Sequence, residues 1–423
     1  NRKSVITANK ALVAIHGNNI GELVSKYDVM FGYEAAVAGG IPIIKTLREG
    51  LASNKINRIY GILNGTCNYI LSVMRQTGQE FEDILADAQR LGYAEADPSF
   101  DVDGIDAAHK LAILAAIAFQ TPIDFNSVHV QGIRFISPID IDFATELGYR
   151  IKLLGIAELL ENGVQQRVRP CLVSVNTPIA QVEDVFNAVA AEADGLGTSL
   201  SYGRGAGAGP TSSAVLSDLL DFANNRRVSF LGGNQSYLKE KSAKKLQTLL
   251  GSYYLRLQVY DRPGVLADLT AVFRDEGVSV EALLQRGRNP DGSVPVVLTT
   301  HETSEKSIQR SVSEFEKLEN VVEKPWGTAN NIYDKDLKIA GKTGTAQVDY
   351  TKDETQYISS FVGYFPADDP KYSSIVVIHK PKKSEGYYGN TVAAPVFKKV
   401  AKKIMNNIPI EIEINTNKLT VVF

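Results

Sequence analysis

The apolar run from Leu111 to Phe119, "LAILAAIAF", limits most strongly what this chain can fold into. It is about half as long as the roughly 20 residues that a helix needs to cross a bilayer, so it predicts a helix buried in a protein core. The chain has 423 residues, 44% of them apolar and 22% charged. This length and composition predict a globular protein of roughly two to four domains.

Charge and cysteine content exclude several classes of function. The net charge is −3 and no block of about five like charges occurs, which argues against nucleic acid or an anionic membrane as a partner. Cys67 and Cys171 lie far apart, without the spacing of a disulfide framework or a zinc site. We therefore expect a cytoplasmic location without a membrane segment. The chain begins at Asn-Arg-Lys rather than at Met, from which we expect a piece of a longer protein.

An acidic segment leads into the apolar run. From Gly92 to Lys110 it holds one lysine and five carboxylates, at Glu95, Asp97, Asp101, Asp103 and Asp106. Asp106 and Lys110 are four residues apart, so they share one face of the predicted helix. On an exposed helix this is an ion pair worth about 0.3–0.5 kcal/mol. At the mouth of a buried helix, the same lysine could instead move a proton to or from a substrate hydroxyl.

The spacing of apolar residues divides the rest of the chain into segments of different predicted structure. Before residue 25 the sequence predicts a strand at Ser4–Thr7 followed by a helix. Residues 25–200 mix helical and strand patterns, which include a helix at 81–91 and a hairpin at the Asn-Gly pair 162–163. This predicts an α+β domain with helices on one side of a sheet. A polar connector is predicted at 225–252. Residues 253–325 read β-α-β-β-α-β, a ferredoxin-like order whose last strand would be 320–325.

Several motifs together resemble homoserine dehydrogenase, in the order and spacing of that family. They are "SVITANKALVA", "YEAAVAGGIPII", "ILNGTCNYIL", "GYAEADPSFDVDGIDAAHKLAIL" and "GRGAGAGPTSSAV", within residues 1–225. The resemblance implies NAD(P)-dependent interconversion of aspartate semialdehyde and homoserine, in a homodimeric protein. It also implies roles for individual residues, namely proton transfer for Lys110, Asp106 and Lys10, substrate binding for Glu95, Asp101, Tyr93 and Thr66, and coenzyme binding for Asn9, Lys10, Gly205 and Gly207.

The segment "YEAAVAGGIP" has two interpretations. It resembles the family's cation loop, which implies a sodium ion bound by Glu34 and by backbone carbonyls at Val37, Gly39 and Ile41. Oxygen ligands of this kind suit a hard cation. The spacing alone also fits a glycine-rich turn between a strand and a helix, without any ion.

The coenzyme domain of the family is expected to be present only as a remnant, residues 1–24 with 201–224, because no glycine-rich strand–turn–helix precedes Ser4. Gly203 to Ala208 fits G-x-G-x-x-A by letters, but "TSLSY" before it is not a buried strand and no acidic residue follows at the required distance. We therefore expect impaired coenzyme binding.

Residues 253–325 resemble an ACT domain through "DRPGVLADLTAVFRDEGVSVEAL". The resemblance implies a regulatory module, with threonine as the effector and with Asp261, Pro263 and Gly264 at the turn that would meet it. A module that serves only dimer packing is the alternative.

The segment from about 321 to 405 resembles a penicillin-binding transpeptidase through "VVEKPWGTANN", "LKIAGKTGTAQVDY", "YISSFVGYFPADDPKYSSIVVI" and "YYGNTVAAPVFKKVAKKI". The implied K-T-G element is Lys342, Thr343 and Gly344. Its partner motif, S-x-x-K, occurs only at 236–239 and 242–245, both in the polar connector. We therefore predict a transpeptidase-like domain at 326–405 and a tail at 406–423. On this interpretation the chain is a chimera of two families.

The predicted fold class is multidomain α+β and α/β: a Rossmann remnant, a substrate and dimerisation domain, an ACT domain and a partial transpeptidase-like segment. Three functions remain open. The first is a homoserine dehydrogenase-like oxidoreductase, the second a dimerising chain that binds an amino acid without turnover, and the third a β-lactam-binding transpeptidase fragment.

Overall fold

The computed structural model describes residues 2–161, 163–233, 238, 241–244, 249–287, 293–315, 318, 339–348, 356–365, 372–379, 381 and 392–405. The chain divides into two compact units. Unit 1 comprises residues 1–256, 273–284 and 297–310, and unit 2 comprises 257–272, 285–296 and 311–423. Among the described residues, none of the helices has both the length and the apolar character needed to span a bilayer.

The helices are α1 Lys10–Tyr27, α2 Ile43–Lys45, α3 Gly65–Thr77, α4 Phe81–Arg90, α5 Ser99–Val102, α6 Ile105–Phe119, α7 Pro138–Glu146, α8 Ala208–Ala223, α9 Val265–Asp275, α10 Glu305–Phe315 and α11 Ala394–Met405. The strands are β1 Val5–Ile6, β2 Phe31–Gly32, β3 Ile56–Ile62, β4 His129–Val130, β5 Tyr149–Leu160, β6 Gly163–Ser174, β7 Phe186–Ala193, β8 Gly197–Arg204, β9 Leu250–Gly251, β10 Tyr254–Tyr260, β11 Val280–Gln285, β12 Ser293–Thr300, β13 Thr303–Ser304, β14 Ala340–Val348, β15 Gln356–Phe365 and β16 Tyr372–His379.

A six-stranded sheet in the order β4-β6-β5-β3-β7-β8 organises unit 1. The short β4 runs parallel to β6, and the other neighbours are antiparallel. The predicted hairpin is confirmed, because β5 and β6 pair from Leu160 opposite Gly163 to Tyr149 opposite Ser174. The two strands are connected by two residues, a length common in hairpins.

Helix α6 is the centre of the core, as the apolar run predicts. Leu111, Ile113, Leu114 and Ile117 are all buried in it, and the helix contacts α1 and the strands β3, β5 and β6. Burying each of these side chains contributes about 1.5–3 kcal/mol. A smaller apolar cluster around Leu154 lies on the opposite face of the sheet. The polar groups in the first turn of α6 are therefore held by a rigid, fully packed helix.

Two short parallel strands, β1 and β2, are joined through α1, and Val5 pairs with Phe31. A parallel pair with a helical crossover is the β-α-β connection of α/β folds. Helix α8 packs against both strands. The predicted helix after the glycine-rich stretch is thus present, but the residues before it form β8, an edge strand that the many Gly and Ser residues of 197–204 did not indicate.

Part of the predicted connector belongs to the core of unit 1. Phe230 and Leu231 are buried, and the Tyr33 hydroxyl donates to the Phe230 carbonyl at 2.5 Å. The Phe230 ring also lies 4.9 Å from the Tyr33 ring. Two large apolar side chains within a polar stretch are enough to anchor it, because their burial outweighs the polarity of their neighbours.

The element order from β10 to α10 is β-α-β-β-β-α, in which the two-residue β13 pairs with β9 and the strands β10, β12 and β11 form a sheet in that order. The first strand thus neighbours the third rather than the second, as in a split β-α-β arrangement. The last predicted strand, at 320–325, lies outside the described residues.

In unit 2, the strands β14, β15 and β16 form an antiparallel sheet in that order. Helix α11 covers one face, where Phe361, Phe365 and Phe397 are buried together. Lys342, Thr343 and Gly344 lie on the edge strand β14, opposite Val362, Phe361 and Ser360.

Lys152 is a buried cation in β5, with 2% of its surface exposed. Its Nζ donates to Asn68 Oδ1 at 3.0 Å and to the Val182 carbonyl at 2.5 Å, and lies 3.5 Å from Glu183 Oε1. Burial lowers the pKa of Lys152 to about 8, against the opposing charge of Glu183.

Because the unfolded chain binds this proton up to a pKa of about 10.4, the folded state should gain stability as pH rises from about 8 to 10, on the order of 2–3 kcal/mol. Lys152→Met removes the titrating group, so urea unfolding should show this rise for the native chain and not for the variant. Lys3→Met, at an exposed position, is the control and should keep the rise. Equal slopes for the native chain and Lys152→Met would contradict the prediction.

Candidate functional site

The first turn of α6 carries the centre of the site. Asp106 and Lys110 are 3% and 9% exposed, and Lys110 Nζ donates to Asp106 Oδ2 at 2.7 Å. The same ammonium donates to the backbone carbonyl of Leu63 at 2.8 Å. These two contacts use two of the three N–H bonds of the ammonium. The pair is thus buried rather than a solvated surface pair, and one N–H is available for a bound oxygen.

Lys10 is the first residue of α1, and its Nζ lies 3.0 Å from Asp106 Oδ1. A cation at a helix N-terminus is disfavoured by the helix dipole, so another interaction must hold it there. Asp106 supplies that interaction with the oxygen that Lys110 does not use. Asn9, the N-cap of α1, accepts a hydrogen bond from the Leu12 N–H at 3.0 Å and fixes the start of the helix.

Asn64 joins the two buried carboxylates. Its Nδ2 donates to Asp101 Oδ1 at 2.8 Å and to Asp106 Oδ2 at 2.9 Å. Its Oδ1 accepts from the Cys67 N–H at 2.8 Å and caps α3. Asp101, in α5, is thereby brought beside the ion pair.

The two carboxylates differ in charge compensation. Burial raises the pKa of Asp106, but Lys110, Lys10 and their hydrogen bonds outweigh it and bring the value to about 2. For Asp101, burial and the charge of Asp106 raise the pKa, against the Asn64 hydrogen bond. Asp106 is thus fully paired, whereas Asp101 is the carboxylate that a further cation would stabilise.

Thr66 and Tyr93 meet at the rim. Thr66 Oγ1 donates to the Tyr93 carbonyl at 2.7 Å and lies 3.5 Å from Asp101 Oδ2. Glu95 lies in the exposed loop after α4, where its backbone carbonyl accepts from Gln89 Nε2 at 3.0 Å. Among the described contacts, nothing joins the Glu95 side chain to Asp101, so the structure brings together six of the seven predicted catalytic and substrate residues, and Glu95 stays apart.

An aromatic stack flanks the cluster. The His109 ring lies 4.2 Å from Phe125 and 5.5 Å from Phe100, and Lys10 Nζ is 5.5 Å from the centre of the Phe100 ring. Burial lowers the pKa of His109. The stack therefore presents a neutral, apolar wall to the charged groups.

The predicted coenzyme and cation loops touch each other. A Cβ on Gly39 would come within 2.5 Å of the Gly205 carbonyl, and a Cβ on Gly205 within 2.2 Å of Asn187 Cγ. Gly207 has φ +111° and precedes α8. Only glycine fits these close approaches, so the loop around residues 205–207 is held tightly against residues 37–41.

Glu34 is 2% exposed, and its carboxylate accepts from the Ile44 and Lys45 N–H groups at 2.9 and 3.0 Å. Burial raises its pKa to about 7, against these hydrogen bonds. Within the described residues, no cluster of three or more His, Cys, Asp and Glu side chains could hold a metal ion. The sodium site, which depends on the carbonyls of Val37, Gly39 and Ile41, stays a prediction.

In unit 2 the turn Asp261–Gly264 borders a half-open cavity of about 380 Å³, which Gln285 also lines. Pro263 and Gly264, with φ +94° at Gly264, shape the turn that leads into α9. The effector residues named from the sequence therefore line a real cavity, whereas most of the S-x-x-K match at 236–239 lies outside the described residues.

Two contributors were missed from the sequence, Asn64 and the Leu63 carbonyl. Asn64 precedes an apolar helical pattern, which indicates an N-cap and would have located α3. Its second role depends on residues about forty positions away, which no local pattern reveals.

Comparison with known proteins gives two family matches. The model of the homoserine dehydrogenase family matches residues 42–220. The model of the penicillin-binding protein transpeptidase domain matches residues 267–402, and so begins within α9, well before residue 321.

Relatives match most of the chain. A homoserine dehydrogenase of Pseudomonas aeruginosa is 46% identical over 328 residues, covering 76% of this chain and 76% of the relative. One of Neisseria gonorrhoeae is 46% identical over 331 residues, covering 77% and 76%. Among solved structures, a homoserine dehydrogenase from Thiobacillus denitrificans aligns with a TM-score of 0.71 and 47% identity, over 75% of this chain and 74% of that one.

Proposed function

The chain belongs to the homoserine dehydrogenase family, and on this premise we propose that it interconverts aspartate semialdehyde and homoserine with NAD or NADP. The observation that carries the proposal is Lys110, a buried ammonium held by Asp106 and the Leu63 carbonyl with one N–H left over. A donor fixed in this way can stabilise an oxygen on which charge develops.

The substrate ammonium binds Asp101, whose pKa is raised by burial and by Asp106 and which therefore gains most from a cation. Glu95 assists from the rim once substrate is present. The third N–H of Lys110 donates to the reacting oxygen, and on reduction of the aldehyde this ammonium gives the proton to the forming hydroxyl. Asp106 then keeps the lysine oriented, and Lys10 adds positive charge beside it.

Residues at the start of α1 and α8 suit a phosphate-bearing coenzyme. Gly207 leaves space where a side chain would be, with only Pro210 within 4 Å, and the free N–H groups at the start of α8 favour an anion. Asn9, Lys10, Gly205 and Gly207 would hold the coenzyme, which supplies and accepts the hydride. Glu34 with the carbonyls of Val37, Gly39 and Ile41 would hold a sodium ion beside this loop.

The test is direct. The purified chain is incubated with homoserine and NADP or NAD, and reduced coenzyme is followed by absorbance at neutral to alkaline pH. Substrate-dependent absorbance with either coenzyme supports the proposal, and the ratio of the two rates gives the coenzyme preference. Calorimetry with the coenzyme alone separates weak coenzyme binding from absent chemistry. No turnover despite coenzyme and homoserine binding would contradict the assigned reaction.

We also propose that unit 2 binds threonine in the cavity at Asp261–Gly264, as the regulatory part of an ACT domain. The start of α9 offers N–H groups to the amino-acid carboxylate, and Asp261 offers a carboxylate to its ammonium. Gly264→Val, at φ +94°, should weaken threonine binding at least about tenfold in calorimetry, since a β-branched residue there is strained. Gly277→Val, also at positive φ but outside the cavity lining, is the matched control.

A homodimer is proposed from the resemblance and from the edge strand β8, whose Leu200 and Tyr202 are exposed. Light scattering at several concentrations measures the mass directly.

A β-lactam-binding function is the second candidate, favoured by the transpeptidase match over 267–402 and by the edge position of the Lys342–Gly344 strand. Acyl transfer needs a serine activated by a lysine, and neither S-x-x-K match lies within that matched segment. We expect no covalent labelling by a fluorescent penicillin, and labelling at a serine would favour this candidate instead.

A further inference from the structure

The carboxamide of Asn64 stands between the two carboxylates of the site. The residue is 5% exposed, and both hydrogens of its Nδ2 are used, one for Asp101 Oδ1 at 2.8 Å and one for Asp106 Oδ2 at 2.9 Å. Asp106 Oδ2 is also the oxygen that accepts from Lys110. Asn64 is therefore a hydrogen-bond bridge from the substrate side of the site to its lysines.

The orientation of this amide follows from its partners. Its Oδ1 accepts from the Cys67 N–H at 2.8 Å, and a backbone N–H can only donate. The reversed amide would direct its NH2 at that N–H and its oxygen at two carboxylates. The network thus has one consistent arrangement.

We propose that Asn64 is a positioning residue that keeps Asp101 and Asp106 as two separate ionised carboxylates, one open to the substrate ammonium and the other committed to Lys10 and Lys110. The assignment of Asp101 to substrate rests on the proposed function. The electrostatic role does not, because it concerns only groups already in contact in the folded chain.

The two carboxylates need such a residue because two negative charges lie close together in a buried part of the protein. Two carboxylates that share one site tend to share one proton, and two N–H donors directed at them oppose this. The groups around Asn64 are mixed in charge. Helix α1 contributes Lys10, and α3 contributes Cys67. Helix α5 contributes Asp101, and Asp103 follows directly after it. Helix α6 contributes Asp106, His109 and Lys110.

Asn64→Asp tests this with almost no change in shape. The new carboxylate still accepts from the Cys67 N–H, so the cap of α3 is kept, but it offers an acceptor where Asp101 and Asp106 need a donor. One proton should then be bound in the folded state well above the ordinary carboxyl pKa. An ordinary carboxyl group of the unfolded chain has a pKa near 4. As pH rises from 4 to the raised pKa of the folded variant, the ratio of folded to unfolded Asn64→Asp should fall about tenfold per pH unit, compared with the same ratio for the native chain.

Asn64→Ser is the matched control, since serine also caps a helix and carries no charge. Because Asn64→Ser also lacks the two amide donors, urea unfolding from pH 4 to 8 should show a loss of stability that grows with pH for both variants, and the loss should be smaller for Asn64→Ser, which adds no third carboxylate. If Asn64→Asp is unfolded at neutral pH, recovery of the folded signal near pH 4.5 supports the proposal equally. A profile for Asn64→Ser parallel to that of the native chain, or an Asn64→Asp chain that is unfolded at every pH, overturns it.

An activity measurement adds the functional part. In Asn64→Asp the acid limb of the homoserine kcat/KM profile should move to higher pH, and KM for homoserine should rise about tenfold or more, because a charged hydrogen-bond partner is lost. The positioning role is overturned if kcat falls while KM for homoserine and the pH profile of kcat/KM stay unchanged. If the native chain has no turnover, the unfolding profiles still decide the electrostatic claim, so the two failures are distinct.

Discussion

Lys110→Ala is expected to lower kcat for homoserine oxidation by about 10²–10⁴-fold, the range for removal of a proton-transferring side chain. Lys110 is the donor with an N–H directed neither at Asp106 nor at Leu63. The fold should survive, because Asp106 keeps Lys10 at 3.0 Å and Asn64 at 2.9 Å. The measurement compares initial rates at saturating coenzyme with the thermal unfolding of the same samples.

Lys26→Ala is the control for this substitution, since Lys26 is exposed in the last turn of α1. It should retain the native rate. Methylamine, a small ammonium that fits the space vacated by the lysine side chain, should restore part of the lost activity. A Lys110→Ala chain that keeps more than about a tenth of the native kcat would exclude proton transfer by this residue.

Asp106→Ala has the largest expected effect on stability, a loss of about 3–5 kcal/mol in the free energy of unfolding. The substitution leaves the buried Lys110 ammonium and the neighbouring Lys10 without their shared counter-charge. Urea unfolding at pH 7 measures it. Asp103→Ala is the matched control: Asp103 pairs with Arg134 at the surface, so its loss should cost no more than about 1 kcal/mol.

The pH dependence gives this prediction a second measurement. The pKa of Asp106 is about 2 in the folded chain, below its ordinary value near 3.9 in the unfolded chain. Its stabilisation is therefore present above pH 4 and is lost as pH falls through 4 towards 2. The difference between native chain and Asp106→Ala should shrink over that range. A constant difference from pH 7 to pH 3 would show that the loss comes from packing rather than from charge.

Local sequence patterns predicted the local parts of this fold. Helix α4 followed from apolar residues at helical spacing, the β5–β6 hairpin from the Asn-Gly pair at 162–163 of the sequence, and the burial of α6 from its uniform apolarity. Strand β8 was missed, because glycine and serine fill half of 197–204 and its two large apolar side chains, Leu200 and Tyr202, are exposed. Its pairing with β7 supplies the stability that its own side chains do not.

The site was predictable to the same extent. The pairing of Asp106 with Lys110 followed from a four-residue spacing, and Lys10 and Asp101 were named through family resemblance. No spacing indicates that Lys10 takes one oxygen of Asp106 while Lys110 and Asn64 share the other. Such a division depends on how α1, α3 and α6 pack in three dimensions, and that is fixed by the whole core.

The cap of α3 also gives the site a built-in reporter. The Cys67 amide hydrogen is held by the same carboxamide that joins the two carboxylates, so its exchange with deuterated solvent requires that carboxamide to move. Slow exchange at this one backbone position marks an assembled site, and fast exchange marks an opened one. The state of the charged cluster can therefore be read in any variant by hydrogen exchange, without substrate or coenzyme.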